Sequence, residues 1–276
     1  MYMLRDGVMA KRVGIAGLGA VGMACARALD DGIAGLELTA VSARDLERAR
    51  IRTEGFRSPP RVVEAPLLCE HADVIVECVP AGAFREVALP ALEAGRVFVT
   101  ISVGALLSHW DLVDRAANAG ARIHVPTGAL LGLDAVQAAR LGTIHSVRMV
   151  TTKPPGGLAG APHVEKEGID LESLTEATRI FTGSAREGAA AFPANVNVAA
   201  ALGLAGLGPD ATELEVWADP EIESNQHEII VESDSARMAL RIQNVPSAEN
   251  PRTGKIVALS VLATLRKLTA TLVIGT

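Results

Sequence analysis

Aromatic residues make up only 3% of this 276-residue chain. Its core must therefore be built from Ala, Val, Leu and Ile, and it has few platforms on which nucleic-acid bases stack. Positive charge is not in surplus either: 26 Lys and Arg against 32 Asp and Glu leave a formal net charge of −6. That balance argues against a nucleic-acid partner, because replacing counterions on phosphates takes cations. No apolar run reaches the roughly 18 to 20 residues that span a bilayer, so no membrane association is expected. Residues 1–10 lack the long apolar stretch of a signal peptide, and Met9 is an alternative start to Met1. The three cysteines, Cys25, Cys69 and Cys78, are too few and too odd in number for a disulfide framework. They fit a reducing compartment, and the protein is read as cytoplasmic. No C-x-x-C or H-x-x-x-H spacing exists, so no metal site is expected. A G-x-S-x-G nucleophile elbow is also missing.

With 49% hydrophobic and 21% charged residues, the chain is a folded protein of one large or two modest domains. Residues 12–126 alternate strand and helix. The strand-like runs 12–16, 36–42, 73–79, 97–103 and 122–125 are short and rich in Val and Ile on consecutive positions. That is the pattern of parallel strands buried on both faces. Helical stretches lie between them at 21–30, 83–94 and 109–119, with Gly95 and Gly120 as expected C-caps. The alternation predicts a doubly wound α/β domain.

The texture changes after Pro126. Strands are expected at 146–152, 212–218, 226–233 and 237–243, with a Pro/Gly-rich loop at 153–162 and a helix at 195–204. Strands that follow one another with little helix between predict an antiparallel sheet, hence an α+β second domain. At the C-terminus, Asn250 is read as an N-cap and Pro251 as the first helical residue. The apolar helix that follows would pack back on the first domain. The division expected is 1–126 plus 245–276 for one domain and 127–244 for the other.

Between the first strand and first helix lies Gly17-Leu18-Gly19-Ala20-Val21-Gly22. Alone, G-x-G-x-x-G is a weak signal. In a strand–turn–helix context it marks a dinucleotide site. Gly17 permits the tight turn, Gly19 lets the backbone approach a pyrophosphate, and Gly22 allows close helix packing. Ala20 and Val21 open the helix whose free N–H groups meet the phosphates. The second strand ends Val41-Ser42-Ala43-Arg44-Asp45. NAD binding favours an acidic residue there, for the ribose 2′-OH, whereas an Arg accepts a 2′-phosphate. Ser42 and Arg44 occupy those positions, so NAD and NADP both stay open. Arg44 reads equally well as an exposed residue opening the next helix.

Six histidines are available, and His227 stands apart. It lies two residues after Asn225 at the start of a strand, so an amide and an imidazole share one face. An imidazole titrating near neutral pH suits acid–base work. A hydrogen-bonded strand histidine is the plainer alternative. Asn195 and Asn197 open an Ala-rich helix. Asn195 suits an N-cap, and Asn197 in the first turn is placed to reach a ligand amide, unless both only cap.

Further segments accompany these: Ser102-Val103-Gly104-Ala105-Leu106, Pro126-Thr127-Gly128-Ala129, Phe192 to Ala200, Ala218-Asp219-Pro220, Asn225-Gln226-His227, and Val245-Pro246-Ser247 with Asn250-Pro251-Arg252-Thr253. In this order, over nearly the whole chain, the set resembles the L-aspartate dehydrogenase family. The resemblance implies a Rossmann dinucleotide-binding domain closed by the C-terminal helix, plus an α+β catalytic and dimerisation domain, and hence a homodimer. It implies oxidative deamination of L-aspartate to oxaloacetate and ammonia, or the reverse, with NAD or NADP. It makes His227 the active-site residue and has Asn197 bind the nicotinamide end. The residue at Leu131 contacts the cofactor, where the family usually has Ala. Glu232-Ser233-Asp234-Ser235-Ala236 also departs from the pattern, since a Gly-rich turn is expected. On this reading His227 activates the water that adds to the iminium ion, and Asn225 holds substrate or ring. Two substrate carboxylates need cations or N–H donors. Lys153 is the candidate, with a solvated loop lysine as its alternative. The rival readings are another reductase of an aspartate-pathway metabolite and a non-catalytic dinucleotide sensor, which Leu131 would favour.

Overall fold

The computed structural model describes residues 10–193, 196–247, 249–250 and 253–275. They group into two compact units. One comprises the described residues up to Ser102 together with Ser108–Pro126 and Ala258–Val273; the other is formed chiefly by Val103–Leu107 and Thr127–Val257. The stretch 245–257, read from sequence with the first domain, groups with the second unit.

The first part of the chain runs β1 (Lys11–Ala16), α1 (Ala20–Gly32), β2 (Leu36–Ser42), α2 (Leu46–Thr53), β3 (Arg61–Val62), α3 (Leu68–His71), β4 (Val74–Glu77), α4 (Phe84–Glu93), β5 (Val97–Thr100), α5 (Val103–Ser108), α6 (Asp111–Ala119) and β6 (Arg122–His124). All six strands are parallel, in the order β3-β2-β1-β4-β5-β6. This is the Rossmann order. The strand sequence reverses between β1 and β4, and ligands of such sheets bind outside the carboxyl ends of the strands at that reversal. β3 has only two residues, too few to leave a pattern in the sequence. The strand expected over 97–103 stops at Thr100, because Val103 opens α5. Gly95 follows α4 and Gly120 caps α6, as the sequence indicates.

The second unit contains α7 (Leu133–Ala139), β7 (Ile144–Lys153), α8 (Pro162–Glu167), β8 (Thr178–Ser184), α9 (Ala185–Ala191), α10 (Asn197–Ala205), β9 (Thr212–Ala218), β10 (Gln226–Ser233) and β11 (Arg237–Gln243). Its sheet runs β11-β10-β7-β9-β8. The expectation of an antiparallel sheet needs correction: β7 and β9 are parallel, and the other pairs are antiparallel. The chain between β7 and β9 passes through α8, β8, α9 and α10. A crossover of that length can return it in the same direction. β8 passes directly into α9 through a capping box, Ser184 with Glu187. One face of the sheet is buried by strict alternation: Val147, Met149, Thr151 and Lys153 on β7; Leu214, Val216 and Ala218 on β9; His227, Ile229 and Val231 on β10.

The last helix is α11 (Ile256–Lys267). Its Val261 and Leu265 join Val13, Ile15, Met23, Leu29, Val41, Val74 and Val99 in the first unit's core. Asn250 does not cap it. Its N–H donates to Ser247 Oγ and its carbonyl accepts from Thr253 N–H, a turn that ends before the helix begins. Pro251 lies outside the described residues.

Candidate functional site

The glycine loop is made by sterics. Gly17 has φ +89°, and a Cβ there would sit 2.5 Å from the Cys78 carbonyl oxygen, at the end of β4. A Cβ on Gly22 would collide with the Gly17 carbonyl oxygen. Gly22 therefore serves first to let the loop fold back on its own helix, more than to seat α1 on β1. Gly19 is different: a Cβ would meet nothing within 4 Å, and the residue is exposed. α1 begins at Ala20 with no side-chain cap and no acidic residue in its first turn. Its leading N–H groups and positive dipole end, with Ala20 and Val21 half-buried beside open space, fit a dinucleotide's pyrophosphate.

The end of β2 supports that loop. Gly17 N–H donates to the Ser42 carbonyl at 2.8 Å, and Ser42 itself is buried. Arg44 is exposed. Asp45 is committed as the N-cap of α2, accepting from Arg48 N–H at 2.9 Å. The Arg52 guanidinium donates to the Leu18 carbonyl in the glycine loop. Sequence reasoning passed over Arg52, because nothing in α2 sets it apart from Arg48 and Arg50.

A second residue was missed at the end of β4. Glu77 is wholly buried. Its carboxyl accepts from Thr100 Oγ1 at 2.6 Å, Ser102 Oγ at 2.9 Å, Val79 N–H at 2.8 Å and Ser102 N–H at 3.3 Å. Burial pushes its pKa up, and the four hydrogen bonds oppose the rise. The hub ties the ends of β4 and β5 together next to the carbonyl that Gly17 touches. A lone Glu ending a Val/Ile run gives no such signal.

In the second unit, the polar side chains gather at one end of the buried sheet face. Lys153 ends β7; it does not wave in a loop, and it is only 4% exposed. His227 pairs in register with Thr151, two residues earlier on the same face. Its Nδ1 lies 2.6 Å from Thr151 Oγ1. The sequence led to an imidazole titrating near neutrality, and this is corrected. Burial first, then the positive charge of Lys153, push His227 down to about 3. Burial pushes the Lys153 amine down to about 8. The group whose proton affinity lies near working pH is therefore the lysine.

Asn225 is half-buried and precedes β10 by one residue. Its carbonyl accepts from Asn244 N–H at 2.9 Å, so the strand ladder extends through it. Asn244 is buried, and its amide holds the only buried side-chain polar atoms without a partner among the described residues. No local pattern marks it out. Asn197 is the first residue of α10, and its side-chain oxygen accepts from Gly104 N–H at 3.0 Å, binding α10 to α5. Leu131 is half-buried in the loop before α7. Asn195 lies outside the described residues. Among the described residues no group of His, Cys, Asp and Glu is placed to hold a metal ion, and no helix is long and apolar enough to cross a membrane.

Two family models match the chain. Residues 134–268 match the C-terminal domain of aspartate dehydrogenase, and residues 17–126 match the NAD-binding domain of homoserine dehydrogenase. An L-aspartate dehydrogenase of Bradyrhizobium diazoefficiens is 54% identical over 265 residues, covering 96% of this chain and 94% of that protein. One of Methanosarcina barkeri is 40% identical, covering 96% of this chain and 99% of its own. Among solved structures, aspartate dehydrogenase of Thermotoga maritima superposes with a TM-score of 0.70 at 24% identity, covering 96% of this chain and 99% of that one.

Proposed function

Because this chain belongs to the L-aspartate dehydrogenase family, we propose that it carries out the NAD(P)-dependent oxidative deamination of L-aspartate to oxaloacetate and ammonia, and the reverse amination. The observation that carries this reading is the buried amine–imidazole pair, Lys153 and His227, in a chain whose first unit has an open, uncapped glycine loop.

Gly17, Gly19, Ala20, Val21 and Gly22 would hold the pyrophosphate through backbone N–H groups, while Ser42 and Arg44 meet the adenosine ribose. Leu131 and Asn197 would contact the nicotinamide end. When bound, the dinucleotide accepts the hydride that leaves the substrate Cα. The imine so formed is hydrolysed by side chains of the second unit. Lys153, with its amine near 8, takes the proton that water loses as the new C–O bond forms, and returns it to nitrogen as the C–N bond breaks. His227 and Asn225 face the substrate's oxygens and nitrogen. Lys153 in its charged form also favours the substrate's carboxylates.

The domain roles follow. The unit that runs to Pro126 and is completed by 258–273 would bind the dinucleotide, and the unit formed chiefly by 127–257 would carry the substrate chemistry and the contact of a homodimer in the cytoplasm. Sedimentation at several concentrations tests the dimer.

The deciding assay follows reduced-cofactor absorbance with aspartate, and with oxaloacetate plus ammonium, using NAD and NADP separately. Turnover in both directions is expected. No turnover despite cofactor binding would overturn the reading in favour of a sensor. Turnover of homoserine alone would overturn it in favour of the other dehydrogenase class.

A further inference from the structure

Thr151 and His227 sit directly opposite one another on β7 and β10, their Oγ1 and Nδ1 atoms 2.6 Å apart. Both are buried, Thr151 completely. A neutral imidazole carries one proton, on Nδ1 or on Nε2. Were it on Nδ1, the ring would donate to Thr151, and the hydroxyl hydrogen would need an acceptor of its own. Among the described residues that hydroxyl has His227 as its one partner. A buried donor left without an acceptor is costly, so the arrangement that satisfies both groups has Thr151 donating to Nδ1. The ring proton then resides on Nε2, which bonds to no described residue.

We propose that Thr151 is a positioning residue that fixes His227 as the Nε2–H form, so that His227 meets the substrate as a hydrogen-bond donor to the oxygen on C2 of the 2-oxo acid, not as a proton acceptor. The proposal rests on the reading that His227 faces the substrate. A neutral imidazole N–H polarises a carbonyl without surrendering its proton. In the amination direction the ammonia lone pair forms the C–N bond, and the C=O π pair moves onto oxygen. Nε2–H stabilises the charge that grows there. The proton shed by nitrogen passes to the Lys153 amine and from it to that oxygen, with no change of oxidation state. The neighbouring positive charge of Lys153 and the burial of the ring both keep His227 neutral, which agrees with this role. From β9, Ala218 lies beside Lys153 and brings no charge, while the Asp219 carboxylate is occupied by Glu221 N–H.

The test is nitrogen-15 NMR of the full chain with labelled histidine and reduced cofactor bound, the His227 signal being assigned by its loss in His227→Gln. The expected result is a proton on Nε2 and none on Nδ1, unchanged from about pH 6 to about pH 9. Thr151→Val should give a mixture of both forms and lower kcat by roughly tenfold at unchanged cofactor affinity. Thr151→Ser should restore both properties. A proton on Nδ1 in the wild type overturns the proposal, and so does a Thr151→Val protein that keeps both the Nε2–H form and its kcat. A near-normal kcat in His227→Gln also overturns it, by removing the reading beneath it. That failure is recognisable, because the wild-type tautomer signal would still be Nε2–H.

Discussion

The glycine loop and the Lys153–His227 cluster are built on opposite plans. The loop is made of backbone. What matters is which side chains are missing: at Gly17 and Gly22 a clash with a neighbouring carbonyl enforces the absence, and at Gly19 the absence leaves open space. The cluster is made of side chains that meet only because β7 and β10 pair in one register. A backbone site can be written as a local string of glycines. A side-chain site is written across residues 151, 153 and 227, far apart in sequence, and its chemistry depends on a burial that no local pattern encodes. The loop supplies geometry, and the cluster supplies proton affinities moved from their usual values.

Substitutions can break this contrast. The largest effect is expected from His227→Ala: kcat should fall about a thousandfold with cofactor affinity unchanged, read by steady-state kinetics and fluorescence titration. Near-normal turnover would dissolve the cluster as a catalytic unit. Next comes Lys153→Met. Lys153 titrates near 8 when folded and near 10.5 when unfolded, so between those values the unfolded chain holds the extra proton and stability rises with pH. Below pH 8 the buried charge costs up to about 3 kcal/mol. Lys153→Met should therefore lose activity yet gain stability at neutral pH, seen as a higher urea midpoint. His227 has the matching acid-side signature. Its folded value near 3 lies below its unfolded one of 6.5, so stability is lost as pH falls through that window, and His227→Gln should flatten the loss.

Gly22→Ala tests the other plan. The added methyl collides with the Gly17 carbonyl, and the dinucleotide Kd should rise about tenfold to a hundredfold. The His227 tautomer signal should not move, since the substitution touches no residue of that cluster. The smallest effect is expected at Arg44, which is exposed. Arg44→Ala should shift the ratio of NADP to NAD affinity against NADP by about threefold, because an exposed charge contact is weak. An unchanged ratio would remove Arg44 from the ribose site.

Legibility followed the same division. Consecutive Val and Ile runs separated by amphipathic helices disclosed the parallel sheet, and the glycine spacing disclosed its ligand. His227 was singled out by its Asn225 neighbour, yet its titration range was misjudged, because register and burial decide that value. Lys153 looked like a loop residue beside two prolines, and only the length of β7 puts it under cover. The parallel pairing of β7 with β9 was invisible because it depends on how a long crossover returns. Glu77 and Asn244 were missed for a shared reason: Glu77 is a single polar residue ending an apolar strand, Asn244 is one polar residue among several after an exposed strand, and the importance of each lies in what surrounds it.

The first unit's core includes Val261 and Leu265, more than two hundred residues after Val13, Ile15 and Val41 of the same core. A ribosome emits the chain from its N-terminus, and early segments begin to fold first. β1, α1 and the glycine loop leave the ribosome long before the helix that seals them. A chain that stalls before α11 lacks two side chains of the core that Val13 and Ile15 belong to, however well the loop is formed. The unit that carries the glycine loop is thus whole only once α11 has been made.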